Sequence, residues 1–329
     1  MFGETFKTFS VNFVSPNPTG VFHRGEVVSG EMRFELSKQV KIQKMTMTVK
    51  GKAKVHWTTR SGSGKHRHTN HHHGKVVFFQ LGNVVLQPQD GSEELVLQPG
   101  VHVYPFSCLL PQGDFPSTFE GIHGKISYAV IFGIHRAWHM EKTFVSEFKF
   151  ERLVDIGVPQ LLLPLSATTS RNLVCFCCVS GEVSMDVQME RKGFIPGETI
   201  KITAEFGNGT SNIVEPKATL EQTVTHYTNG RGLKRIVANT LNSTRGQPVE
   251  PNTSDVRRDM TLTIPGNAYA TLENCEVLVV EYSVLVSLKV GGFSGLKAVF
   301  PIVIGSCRLQ PQVPPQDFQP PSYNAALNM

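Results

Sequence analysis

Residues 278–290 read Leu-Val-Val-Glu-Tyr-Ser-Val-Leu-Val-Ser-Leu-Lys-Val. Leu278, Val280, Tyr282, Val284, Val286, Leu288 and Val290 hold every second position, with Glu281, Ser283, Ser287 and Lys289 between them. Successive side chains of a strand point to opposite faces, so this period of two predicts a strand with one apolar and one polar face. Outward from it the pattern recurs. Val183, Met185, Val187 and Met189 alternate with Ser184, Asp186, Gln188 and Glu190. Met45, Met47, Val49, Ala53, Val55 and Trp57 alternate with Thr46, Thr48, Lys50, Lys52, Lys54 and His56. Met32, Phe34 and Leu36, and Phe9, Val11 and Phe13, repeat it near the N-terminus. No long stretch carries a convincing helical period. One-sided strands must bury their apolar face against a second sheet, so the expected fold is all-β, built of antiparallel sandwiches.

The layout occurs twice. Phe22-His23-Arg24-Gly25-Glu26 precedes the alternating stretch at 31–36, and Phe194-Ile195-Pro196-Gly197-Glu198 precedes another at 200–206. Leu110-Pro111 is followed by a tyrosine-containing apolar stretch at 126–134, as Ile264-Pro265 is by the stretch at 278–290. The copies lie about 155 to 170 residues apart, the spacing of whole domains rather than of a short-repeat solenoid. At roughly 150 residues per domain, a chain of 329 residues suits two. The expected division is a first sandwich over 1–154, a linker over 155–172, a second sandwich over 173–306 and a proline-rich tail over 307–329. Pro159, Pro164 and the run Ser166-Ala167-Thr168-Thr169-Ser170 motivate the linker.

Composition narrows the function classes. The N-terminal Met1-Phe2-Gly3-Glu4-Thr5-Phe6-Lys7 has no apolar core of a secretory signal, and no run approaches the roughly 18 apolar residues of a membrane span. A cytosolic chain is expected. Of six cysteines, Cys175, Cys177 and Cys178 crowd together, which is not a disulfide framework. A formal charge of +5 over this length does not argue for nucleic acid. There is no GxSxG elbow, no phosphate loop and no HExxH; Gly62-Ser63-Gly64-Lys65 is followed by His66 where a phosphate loop needs Ser or Thr.

Four features carry chemistry. The tail from Gln310 to Tyr323 holds Pro311, Pro314, Pro315, Pro320 and Pro321, too little apolar material to pack, and is expected to be disordered. Its Pro320-Pro321-Ser322-Tyr323 is a PPxY ligand for a WW domain. The prolines pre-form an extended helix that lies on aromatic residues, and the tyrosine enters a second pocket. His66, His68, His71, His72 and His73 could together hold zinc or copper, but an exposed hairpin loop between Trp57 and Lys75 is the favoured reading, so no metal is expected. Cys175-Phe176-Cys177-Cys178 contains a CxxC without the second pair of a zinc ribbon. Lys50, Lys52 and Lys54 line one strand face, most simply a solvated one, with contact to acidic cargo or anionic lipid as the functional alternative.

Gly51-Lys52-Ala53-Lys54-Val55-His56-Trp57, the run from Ser180 through Glu198, Leu262-Thr263-Ile264-Pro265, Asn274-Cys275-Glu276 and Val280-Glu281-Tyr282 carry a resemblance in their order and spacing. Over residues 5–323 the chain resembles the arrestin fold, and within it the arrestin-domain-containing proteins, or α-arrestins. The resemblance implies two tandem arrestin-like β-sandwiches and a non-enzymatic adaptor without a cofactor, and its layout would bring Lys7 of the first strand to the surface of Lys50, Lys52 and Lys54. It further implies a tail that recruits WW domains of HECT-type ubiquitin ligases to membrane receptor or transporter cargo for ubiquitination, endocytosis and sorting. The implied place is cytoplasmic, peripheral to plasma membrane and endosomes, with no nucleic acid bound. Two departures stand out: Gly266 follows Pro265 where a second proline is common, and a single PPxY implies monovalent docking. The alternatives are a sorting scaffold like the arrestin-like retromer subunit, and a metal- or redox-active protein using the His66–His73 or Cys175–Cys178 cluster.

Overall fold

The computed structural model describes residues 5–15, 17–62, 66–89, 92–174, 180–290 and 293–308. The Cys175–Cys178 cluster and the Pro320–Tyr323 peptide lie outside these residues.

The first domain runs through β1 (Phe6–Val14), β2 (Val21–Phe22), β3 (Val27–Leu36), β4 (Val40–Ile42), β5 (Lys44–Ser61), β6 (His68–Leu86), β7 (Leu95–Leu97), β8 (Gly100–Leu109), β9 (Phe119–Glu120), β10 (Gly124–His135) and β11 (Lys142–Phe150). One sheet has the order β1-β3-β8; the facing sheet is β2-β11-β10-β5-β6, with β9 on β10. Their apolar faces meet in an aromatic core. Phe9 of β1 stacks on Phe144 of β11 at 4.2 Å, Phe13 meets Phe148 at 5.9 Å, and Phe106 of β8 meets Phe132 of β10 at 5.5 Å. Each side chain of this size that leaves water stabilises the fold by about 1.5–3 kcal/mol.

The second domain comprises β12 (Leu165–Val174), β13 (Ser180–Met189), β14 (Gly193–Phe194), β15 (Thr199–Asn208), β16 (Val214–Tyr227), β17 (Lys234–Arg245), β18 (Thr253–Thr263), β19 (Leu278–Val290) and β20 (Phe293–Ile304). Its sheets are β12-β13-β15-β18 and β14-β20-β19-β16-β17. The second order reproduces β2-β11-β10-β5-β6 strand for strand. In both copies the first member is a two-residue strand running parallel to its neighbour.

The sequence echoes are the joints of this repeat. Gly25 and Gly197 both take positive φ (74° and 88°), a conformation glycine adopts without strain. Beside each, the following glutamate accepts a backbone N–H three residues back: His23 N–H to Glu26 at 2.8 Å and Ile195 N–H to Glu198 at 3.0 Å. The Leu-Pro and Ile-Pro echoes then tie on, since Leu110 N–H donates to Glu26 O and Ile264 N–H to Glu198 O, each at 2.9 Å.

Two expectations are corrected. The linker expected over 155–172 is a strand in its second half. After a short helical turn, α1 (Pro159–Leu162), β12 begins at Leu165 and pairs along its length with β13. Leu165, Ala167 and Leu173 pack on the core, while the small polar residues that read as a linker suit the other face of an edge strand. The histidines expected in a hairpin loop also lie mostly on a strand. β5 continues to Ser61 and β6 starts at His68, so the ribbon extends beyond the core with polar residues on both faces. Hydrogen bonding, not burial, sustains it there, which the alternation of apolar residues does not report.

Candidate functional site

On β5 the odd positions from Met45 to Trp57 face the core and the even ones face out. Lys50, Lys52 and Lys54 therefore share the outer face. Lys54 stands opposite Lys125 of β10 on one side and Lys75 of β6 on the other, making a row of three ammonium groups across three strands. Like charges placed directly opposite repel, so the row is held by the core beneath it. Lys50 donates to Gln80 at 2.8 Å and Lys125 pairs with Glu147 at 2.8 Å, whereas among the described residues no carboxylate pairs with Lys54 or Lys75. Partial burial, then the charges of Lys54 and Lys50, hold the Lys52 ammonium below its ordinary pKa. Lys7 does not join this face. It lies on β1 in the opposite sheet, paired with Glu35 at 3.1 Å.

The histidines divide between two faces. His72 turns to the Trp57 side, stacking on the indole at 5.3 Å with Nε2 2.8 Å from the Thr59 hydroxyl. His71 and His73 turn to the lysine side, where they meet His56, with ring centroids 5.7 and 4.6 Å from its ring. His66 precedes β6 and His68 opens it; neither joins this group. His56 was missed by the sequence reading, although it continues the even-numbered face of Lys50, Lys52 and Lys54.

Below the lysine row the inner face of the same sheet receives the second domain. Gly124, Val55 and Gly74 are register partners across β10, β5 and β6, a row with almost no side chain beside the valine. Leu278, His226, Tyr227 and Val277 of the second domain pack into the space. Around this seat, Asn229 exchanges two hydrogen bonds with the Lys75 backbone, at 2.7 and 3.3 Å. Asn274 donates to Asp114 O at 2.8 Å, and Phe119 meets Tyr269 at 4.7 Å. Glycine inside a strand marks close approach of another backbone, the one sequence signal for this seat.

His226 sits in this interface, 2% exposed, edge-on to His123 of the first domain at 5.6 Å. Its Nδ1 lies 3.3 Å from Arg235 O, and its Nε2 is buried without a partner among the described residues. Burial lowers its pKa from 6.5, with the charges of His123 and Arg235 acting in the same direction. A histidine whose folded pKa is lowered contributes stability that is complete above the unfolded value of 6.5 and is lost as pH falls through it toward the folded value. The melting temperature should therefore fall between about pH 7.5 and pH 5.5, and His226→Asn, which keeps a donor for Arg235 O, should flatten that slope. Equal slopes in the two proteins would remove His226 as the cause.

Residues 9–157 match the family described as Arrestin (or S-antigen), N-terminal domain, and residues 179–309 match Arrestin (or S-antigen), C-terminal domain. The chain is 29% identical to arrestin domain-containing protein 4 of Homo sapiens over 291 residues, covering 87% of this chain and 68% of that protein. It is 30% identical to thioredoxin-interacting protein of Homo sapiens over 307 residues, covering 92% of this chain and 75% of that one.

Proposed function

The chain belongs to the arrestin family, in its α-arrestin branch, and from that premise we propose an adaptor that brings a WW-domain HECT ubiquitin ligase to a membrane receptor or transporter. The observation that carries the ligase half is Pro320-Pro321-Ser322-Tyr323 placed after two arrestin domains. A proline-rich peptide of this kind loses little conformational entropy on docking, and the tyrosine ring supplies the second anchor.

The cargo half is assigned to the outer face of Lys50, Lys52 and Lys54, extended by Lys75 and Lys125, which suits an acidic cytoplasmic segment of a receptor or transporter. Among the described residues no helix is long and apolar enough to cross a membrane. In this reading the adaptor works at the cytoplasmic side of the plasma membrane and endosomes as a peripheral partner of its cargo, with the chemistry left to the ligase.

One affinity purification tests both halves, comparing the full chain with Pro321→Ala/Tyr323→Ala and with Lys52→Glu/Lys54→Glu. The tail variant should lose WW-domain ligases by about tenfold or more while keeping cargo. The lysine variant should lose cargo and keep ligases. Ligases retained by the tail variant would overturn the ligase half, and a full partner set in both variants would favour a sorting scaffold.

A further inference from the structure

The structure brings together three imidazoles that are far apart or misgrouped in the sequence, and we propose that His56, His71 and His73 form a binding site for a divalent transition metal, zinc(II) in the first instance. Their placement follows from strand pairing. His56 and His73 are register partners, and His71 is two residues along the same strand, so all three project from one face. His56 gives its backbone N–H to His123 O at 2.8 Å, on the β10 side. It is thus a non-hydrogen-bonded partner of His73, the kind of pair in which side chains approach most closely.

One ring nitrogen from each histidine lies within 4.8 Å of the other two. His56 Nε2 and His71 Nδ1 are already 3.4 Å apart. Zinc held at about 2.0–2.1 Å from each of three imidazoles in a tetrahedron requires nitrogens about 3.3–3.4 Å apart. The 3.4 Å pair already has the length of one such edge, and all three side chains are exposed. Imidazole suits zinc, copper and nickel, and three protein ligands leave a fourth position for water. Lys54 and Lys75 stand on the same face and oppose a cation, which weakens the expected affinity relative to a three-histidine site without neighbouring charges. A shallow pocket of about 460 Å³ bounded by His56, His73, Lys54, Lys75, His123 and Lys125 gives an ion access from solvent.

The site crosses the ribbon directly beside Gly74 and Val55, whose other face carries the second domain. Metal binding there would clamp β5 to β6 at the point where that domain is seated, and so raise the melting temperature by mass action.

Zinc chloride titrated calorimetrically into the metal-stripped full chain tests the site. A background variant with His66, His68 and His72 changed to Asn removes the other histidines of this hairpin. One zinc per chain is expected in that background. His56→Asn or His73→Asn should weaken it by about tenfold or more, with the metal-free melting temperature unchanged because these side chains are exposed. Zinc binding that survives His56→Asn, or that disappears in the background variant alone, would overturn the proposal. So would the absence of any stoichiometric binding.

Discussion

Valine at Gly74 or Gly124 is expected to loosen the two domains from one another while leaving each domain folded. A Cβ at Gly74 would lie 2.3 Å from Tyr227 O and 2.8 Å from a Val55 methyl. The oxygen belongs to backbone paired into β16 and cannot rotate aside, so the second domain must back away. At Gly124 the Cβ would lie 2.5 Å from Leu278 Cδ1 and 3.0 Å from His226 Cδ2, contacts that side-chain movement relieves only in part. Overpacking of this kind costs about 1–3 kcal/mol, with Gly74 at the upper end because backbone opposes it. The loss should fall on the Asn229–Lys75 and Asn274–Asp114 hydrogen bonds that frame the seat rather than on either core. Calorimetry should show a single unfolding transition dividing into two, and proteolysis between the domains near Pro159–Leu162 should quicken. Gly82→Ala is the control. It lies on the same strand, but its Cβ would meet nothing closer than 3.8 Å. Indistinguishable melting and cleavage for Gly74→Val and Gly82→Ala would dismiss the glycine seat.

That seat shows where reading the sequence stops. Alternation of apolar residues identified the strands of both cores because burial on one face imposes a period of two whatever the partner sheet is. The doubled Phe-x-x-Gly-Glu and Leu-Pro or Ile-Pro echoes were legible because each copy needs the same positive-φ turn and the same carboxylate to close it. By contrast, Gly74 contacts Tyr227, more than 150 residues away in the chain, and nothing local announces that neighbour. Leu165 to Val174 read as a linker because an edge strand needs only part of one face to be apolar. The expected layout brings Lys7 to the surface of Lys50, Lys52 and Lys54, yet a family likeness of layout does not say which face a given side chain takes, and β1 enters the other sheet. His56 was overlooked for a related reason: a cluster counted along the chain omits the residue that strand pairing places opposite.

The deepest consequence of the duplication concerns the two tyrosines. Tyr128 of β10 and Tyr282 of β19 occupy equivalent central strands. Each hydroxyl donates to a backbone carbonyl upstream, of Pro116 and of Tyr269 respectively. The Tyr128 ring is fully buried among Phe78, Phe79, Phe148 and Phe150, the last at 4.4 Å. Its register partner on β5 is Gly51, where a Cβ would lie 2.6 Å from Tyr128 Cε1, so the glycine makes the room the ring fills. Tyr128→Ala should therefore cost about 3–5 kcal/mol, because it opens a cavity walled by a glycine that cannot fill it. Tyr128→Phe keeps the ring and should cost about 1–3 kcal/mol, the penalty of leaving the buried Pro116 carbonyl without its donor. Tyr282→Phe should cost a similar amount, since Gln222 also loses the hydroxyl to which it donates at 2.8 Å. The two hydroxyls share no partner and lie in separate domains, so their losses should add in the double phenylalanine variant. Urea denaturation of the three variants checks this. Single variants as stable as the parent would mean that the paired tyrosines are relics of the repeat, and a double variant no less stable than either single one would mean that the two domains do not hold them independently.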